Sequence, residues 1–294
     1  MPVIAGLCDT LRGMGRTVAS WATGRLVFGA VCCGLVAGPT GVALADQAAN
    51  ILPHRAGYEL TLRSVRSGSG VIDVSGLLSY DWTDSCDGWI VEQRYVLQVI
   101  RGDGPVVEIS ASYANWESKD GLRYRFNVKR GRGSEEDGET SEVQGEATLD
   151  GKGKSGVAQF EKPEKQEIKL PAGTLFPTEH TLLLIQKAKA GEKFDRHAVF
   201  DGAEVEGPSM MTAFLLPRRD TSPAGKPSVL TAAQPVWPVT IAVFSEGEKA
   251  ETPNFEMTIY LQENGVVPEM IMDYGDFSVL GRMKIFEKLP KAEC

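Results

Sequence analysis

Four kinds of side chain in this sequence could carry chemistry: histidines, a cysteine, clustered carboxylates and a lysine-glycine-serine run. His54, His180 and His197 are its three histidines. They fall at no metal-ligand spacing, and no Asp or Cys stands with them in a recognisable partner pattern, so they predict neither a zinc site nor a catalytic triad. Asp81, Asp84 and Asp87 recur every third residue around Cys86. Calcium loops also space their carboxylates closely, but this run lacks their glycine and terminal glutamate and reads as a turn. Lys152-Gly153-Lys154-Ser155 is like the end of a phosphate-binding loop, yet the motif's first glycine would fall at Thr148. Predicted strands flank it where the motif needs a helix. The Gly-x-Ser-x-Gly signature of esterases does not occur. No catalytic residue, metal site or cofactor is predicted.

The aromatic and thioether side chains point instead to binding. Trp82, Trp89, Tyr95, Trp116, Tyr124, Phe126 and Phe214 fall in predicted strands, as do Met210, Met211, Met257, Met270 and Met272. Packing is their ordinary role. A sheet with few helices to cover it must curl on itself, and curled sheets of this size enclose apolar cavities. Soft methionines suit a pocket of variable filling. The expected pocket is lined by Trp82, Trp89, Tyr95, Trp116, Tyr124, Phe126, Met210 and Phe214.

The elements that must position these residues are nearly all strands. Tyr58 to Arg63, Val71 to Trp82, Trp89 to Ile100, Val106 to Trp116 and Leu122 to Lys129 alternate apolar with polar residues or are rich in β-branched and aromatic ones. Lys119-Asp120-Gly121 and Asn264-Gly265 are hairpin signals. Glu142 to Leu149 and Ser155 to Phe160 are weaker strands, and Gly131 to Gly138 reads as a polar loop. Thr178 is the expected N-cap of a helix through Ala190 that ends at Gly191. Strands resume at Phe194 to Phe200 and Ala203 to Leu216, and Pro217 to Pro235 is a long loop. Trp237 to Phe244, Phe255 to Leu261, Val266 to Tyr274 and Phe277 to Glu287 complete the chain. The expectation is all-β: one antiparallel sheet of about fourteen strands, with one main helix.

The first 45 residues read as a cleavable signal peptide. Arg12, Arg16 and Arg25 precede the uncharged apolar stretch from Leu26 to Val36, and Ala43-Leu44-Ala45 suits a signal peptidase. Four glycines and Pro39 make the stretch a poor permanent span, so export to the periplasm is expected, with no stable membrane span after cleavage. The 294-residue chain carries a net charge of −8, and removing three Arg and one Asp with the signal leaves −10. That balance argues against nucleic acid as a partner. Cleavage also removes Cys8, Cys32 and Cys33, so Cys86 and Cys294 remain. In an oxidising compartment a lone pair of cysteines is most simply a disulfide, and its rivals are two free thiols or a metal site.

The run Tyr80-Asp81-Trp82-Thr83-Asp84-Ser85-Cys86-Asp87-Gly88-Trp89, the following Glu92-Gln93-Arg94-Tyr95, the segment Leu170-Pro171-Ala172-Gly173-Thr174-Leu175-Phe176-Pro177-Thr178 and the final Cys294 resemble the EipB family. These are cell envelope integrity proteins of the alphaproteobacterial periplasm. The resemblance spans Ile51 to Cys294 and implies a β-spiral or strongly curled half-barrel, similar in outline to lipoprotein carriers. It also implies one internal disulfide, which maps here onto Cys86 and Cys294. No catalytic residues carry over with it. The function expected is support of the envelope by a monomer that binds a lipid, a lipidated polypeptide or a periplasmic protein. The alternative is an envelope hydrolase or transferase using Asp81, Asp84 or Glu92.

Overall fold

A computed structural model describes residues 51–294 except 103, 134–137, 221–233 and 245–251; the expected signal peptide at 1–45 lies outside the described residues. The strands are β1 (His54–Val65), β2 (Val71–Asp84), β3 (Gly88–Arg101), β4 (Val107–Ser118), β5 (Arg123–Gly133), β6 (Glu139–Leu149), β7 (Gly156–Lys162) and β8 (Gln166–Leu170). Helix α1 (Pro177–Ala190) follows, then β9 (Phe194–Val199), β10 (Ser209–Leu215), β11 (Val236–Phe244), β12 (Phe255–Gln262), β13 (Glu269–Asp273) and β14 (Phe277–Lys288). Alternation sets their faces: in β5, Tyr124, Phe126 and Val128 are buried while Arg123, Arg125 and Lys129 face solvent.

All fourteen strands belong to one antiparallel sheet in the order β8-β7-β6-β5-β4-β3-β2-β1-β14-β13-β12-β11-β10-β9. The chain enters at the middle, on β1, and meanders outward to β8. Helix α1 then carries it to the opposite edge, and a second meander returns it to β14, which pairs with β1. Edges β8 and β9 do not pair. A single parallel bridge from Leu175 to Val199 joins the end of one meander to the start of the other. The result is a spiral rather than a closed barrel. Its main core unites inward residues of both halves, among them Tyr58, Trp82, Val239 and Met270, with Leu184 and Ile185 of α1. A second core gathers Tyr124, Phe126, Phe160, Phe176 and Phe200.

The Leu170 to Thr178 segment builds the seam. Leu170 ends β8 in the second core, and the Thr174 N–H and hydroxyl both bond Pro171 O across a turn in which Gly173 takes φ 82°. Leu175 bonds Ala198 O and the Phe200 N–H, Phe176 fills the second core, and Pro177 opens the helix.

Three boundaries differ from expectation. The helix cap is Phe176 rather than Thr178, and no side chain of its own caps the helix. The Glu117 carboxylate of β4 takes that role, accepting the amides of Thr178 at 2.6 Å and Glu179 at 2.7 Å. Strand β10 starts at Ser209, because Ala203 and Asp201 are drawn into side-chain and backbone bonds with Arg130 and Tyr124. Strands β5 and β6 extend to Gly133 and from Glu139, so the first three residues of the expected polar loop belong to a strand. Part of the long loop after Pro217 lies outside the described residues.

Candidate functional site

The β2–β3 turn carries the one disulfide found among the described residues, joining Cys86 to Cys294 across 208 residues of sequence. Local chemistry fixes that turn. Asp84 Oδ1 accepts the Cys86 amide and Lys119 Nζ at 2.7 Å, and Lys119 Nζ also lies 3.3 Å from the centroid of Trp89. The indole N–H of Trp116 bonds the Ser85 hydroxyl. Gly88 is required because a Cβ there would lie 2.3 Å from Trp116. Cys86 itself takes φ 63°, a conformation that non-glycine residues rarely hold. The aspartates are thus turn and ion-pair residues: Asp81 pairs with Arg55 at 2.8 Å and stands opposite the exposed Glu92 in the ladder.

The eight expected pocket residues are not brought together. Trp82 and Tyr95 are buried in the main core, and half-buried Trp89 meets Trp82 edge-on with centroids 6.0 Å apart. Tyr124 and Phe126 stack in the second core. Trp116 points outward, with Arg123 and Arg125 lying 5.4 and 5.1 Å from its ring. Met210 and Phe214 share the outer face of β10, and Phe214 is 51% exposed, edge-on to Phe194. Register is the cause: Met211, Ala213 and Leu215 take the inward positions of that strand.

Two constellations escaped sequence reasoning. In the first, buried Asp195 of β9 meets His180 Nε2 at 3.2 Å, His197 Nδ1 at 2.9 Å and Lys187 Nζ at 3.1 Å. The signal was present as Asp195-Arg196-His197, since residues two apart share a strand face, but α1 had to supply the other two groups. Burial acts to raise the Asp195 pKa, yet hydrogen bonds from His180, His197 and Lys187 outweigh it and hold the carboxyl well below its ordinary value of 3.8. Burial also lowers the pKa of His180. Among the described residues no hydroxyl or thiol bonds either imidazole, so the group ties α1 to β9. Because the folded-state pKa is depressed, this tie contributes stability above about pH 4 that is lost as pH falls through the folded value. Asp195→Asn is expected to cost about 2 kcal/mol at pH 7. In melts between pH 3 and 7, the gap from wild type should narrow below pH 4; a constant gap would refute the ionised tie.

The second lies on the outer face. Over Gly57, where β1 carries an irregularity in its pairing with β14, Leu77, Val96 and Ile285 wall a hollow of about 580 Å³. Leu77 is 69% and Ile285 62% exposed. Arg94 and Lys284 stand at its rim, and Lys284 pairs with Glu59 at 2.9 Å. The small floor follows from Gly57 and its ladder neighbour Ser79.

Among the described residues there is no cluster of three metal-ligating side chains and no helix long and apolar enough to cross a membrane. Fold and site thus define a class: an open antiparallel β-spiral, clasped from its second hairpin to its last residue, with an apolar hollow on its outer wall. The chain belongs to the EipB-like family, which matches residues 45–290. It is 33% identical over 270 residues to the cell envelope integrity protein EipB of Brucella abortus (strain 2308), covering 90% of this chain and 92% of the relative. It also resembles the crystal structure of a beta-barrel-like protein of domain of unknown function DUF1849 from Brucella abortus. That match has a TM-score of 0.71 at 32% identity and covers 82% of this chain and all of the other.

Proposed function

We propose that this protein is a non-catalytic component of the cell envelope, exported to the periplasm, that supports envelope integrity by holding an apolar partner. The partner is a lipid, a lipidated polypeptide or an apolar segment of an envelope protein. The observation that carries this reading is the hollow over Gly57, whose leucine and isoleucine walls stand exposed on a chain with enough core to bury them. Apolar concavities of several hundred Å³ with a few polar groups at the rim are the usual form of a ligand site. Kinship with an envelope integrity protein supports the setting. The carboxylates that a hydrolase would use are engaged elsewhere, Asp81 with Arg55 and Asp84 with Lys119.

The test uses surface changes that leave the core intact. Leu77→Glu combined with Ile285→Glu is expected to keep the melting temperature within about 2 °C of wild type, since exposed substitutions cost little. The same variant should fail to restore growth of a deletion strain under detergent stress. Full complementation by this variant, together with no co-purifying lipid or protein in native mass spectrometry of the wild type, would sink the reading.

A further inference from the structure

The hollow over Gly57 is half of a longer trough. A second hollow of about 610 Å³ adjoins it, and Arg94 and Val96 line both. The ladder makes them continuous. Gly57, Ser79, Arg94, Ser112, Lys129 and Glu142 are successive facing partners from β1 to β6, and residues that face each other across a ladder share a side of the sheet. The adjacent row sets Leu77 and Val96 in line with Ser110 and Gly131. Small side chains keep the floor low on both sides of Arg94, and at Gly131 even a Cβ would lie 2.8 Å from Ser110 Oγ.

The two halves differ in chemistry. Over β1 to β3 the walls are Leu77, Val96 and, from β14, Ile285. Over β4 to β6 the lining is the hydroxyls of Ser110, Ser112 and Thr140 with the Lys129 ammonium. Each carboxylate of the trough already holds a lysine: Glu59 pairs with Lys284 at 2.9 Å and Glu142 with Lys162 at 2.8 Å. Lys129 reaches Glu142 only at 3.6 Å. Exposed Arg94 makes no side-chain hydrogen bond or ion pair among the described residues. Cationic charge is thus in surplus where the apolar walls end.

A free phosphate would use the cations and leave three apolar side chains in water, and a bare hydrocarbon would do the reverse. An anionic amphiphile uses both. The lengths agree as well: the strand spacings from β14 to β3 add to about 14 Å, close to the roughly 15 Å of one leaflet of a bilayer's hydrocarbon core. We infer that the trough holds a lipid with an anionic headgroup, its acyl chain in the hollow over Gly57 and its head above Ser112, between Arg94 and Lys129. This assignment rests on the reading of the hollow as an apolar site and names its ligand.

Titration calorimetry with lysophosphatidylglycerol, with lysophosphatidylcholine of the same acyl chain and with glycerol phosphate tests it, each lipid kept below its micelle concentration. The glycerol lipid is expected to bind about five-fold or more tightly than the choline lipid, whose head carries no net charge, and chainless glycerol phosphate not to saturate. Arg94→Gln combined with Lys129→Gln should abolish that preference and leave the choline lipid's affinity unchanged. Leu77→Glu combined with Ile285→Glu should lose both lipids. All four positions are exposed, so both variants are expected to fold, and the wild-type comparison stands without them. Equal affinity for the two lipids, or a preference that survives in the glutamine variant, overturns the placement of the head and leaves the apolar hollow standing. Glycerol phosphate binding as tightly as the lipid, or neither lipid binding, overturns the assignment outright, while complementation by the glutamate variant decides the reading of the hollow separately.

Discussion

Cys86→Ser is expected to lower the melting temperature of the oxidised protein by on the order of 10 °C or more, and Cys294→Ser should lower it equally. The bond closes a loop of 208 residues of sequence separation. For such a loop the chain-entropy model gives about 5 kcal/mol of destabilisation of the unfolded ensemble. In a chain of this length each kcal/mol moves the midpoint by roughly 2–4 °C. The bond ties the second hairpin to the tail that follows β14, whose ladder ends at Lys288. Either substitution releases the same turn at Cys86. Its left-handed φ of 63° is retained by Asp84, Lys119 and the disulfide together, so removing the sulfur leaves a strained residue without its anchor. Melts of wild type and both variants, with and without reductant, check the claim. Reductant should bring the wild type down to the variants; equal midpoints in oxidised samples would show that the bond contributes nothing.

Much of this fold was legible in the residues because antiparallel meanders are local. Each hairpin is specified by alternation on its two strands and a turn between them, as at Lys119-Asp120-Gly121, so strand number and partners follow from nearest neighbours in sequence. With the expected signal peptide set aside, counting left Cys86 and Cys294 as a lone pair, and the family resemblance implied their bond. Long-range juxtaposition was not. Nothing local says that β14 returns to β1, that Leu175 bridges Val199, or that Lys187 and His180 reach Asp195. The pocket expectation failed to converge for a related reason. Side-chain type marks a residue as fit for a cavity, while strand parity decides its face, and in β10 one step of register exposes Met210 and Phe214 and buries Met211. The outer hollow was hidden because its defining residue is Gly57, an absence of side chain.

Glu117→Ala is expected to cost about 3–4 kcal/mol, because it takes the acceptor from two amides at the start of α1. Thr178 was the natural reading for the helix cap, since threonine caps helices well. Its side chain lies inside the helix instead, and the first amides of α1 are left to a carboxylate 61 residues earlier in the chain. Glu117 is 2% exposed and accepts hydrogen bonds from two of those amides, which have no acceptor within the helix itself. Alanine would remove both and leave two buried N–H groups unmatched. The consequence extends beyond the helix, because α1 is the link between the two meanders and Phe176 and Leu175 beside it form the seam. Burial pushes the Glu117 pKa up to about 8, against the downward pull of the Thr178 and Glu179 amides. With the folded value above the ordinary 4.5, the unfolded chain releases this proton first as pH rises, so the Glu117 contribution falls between about pH 4.5 and 8. Glu117→Gln has no proton to release and should show no such slope. Melts of the three proteins from pH 5 to 9 read both effects: alanine lowest throughout, and the margin of wild type over glutamine shrinking toward pH 8. A margin that grows with pH would mean that the carboxylate is ionised at the helix end and stabilised there, reversing the sign assigned to its burial.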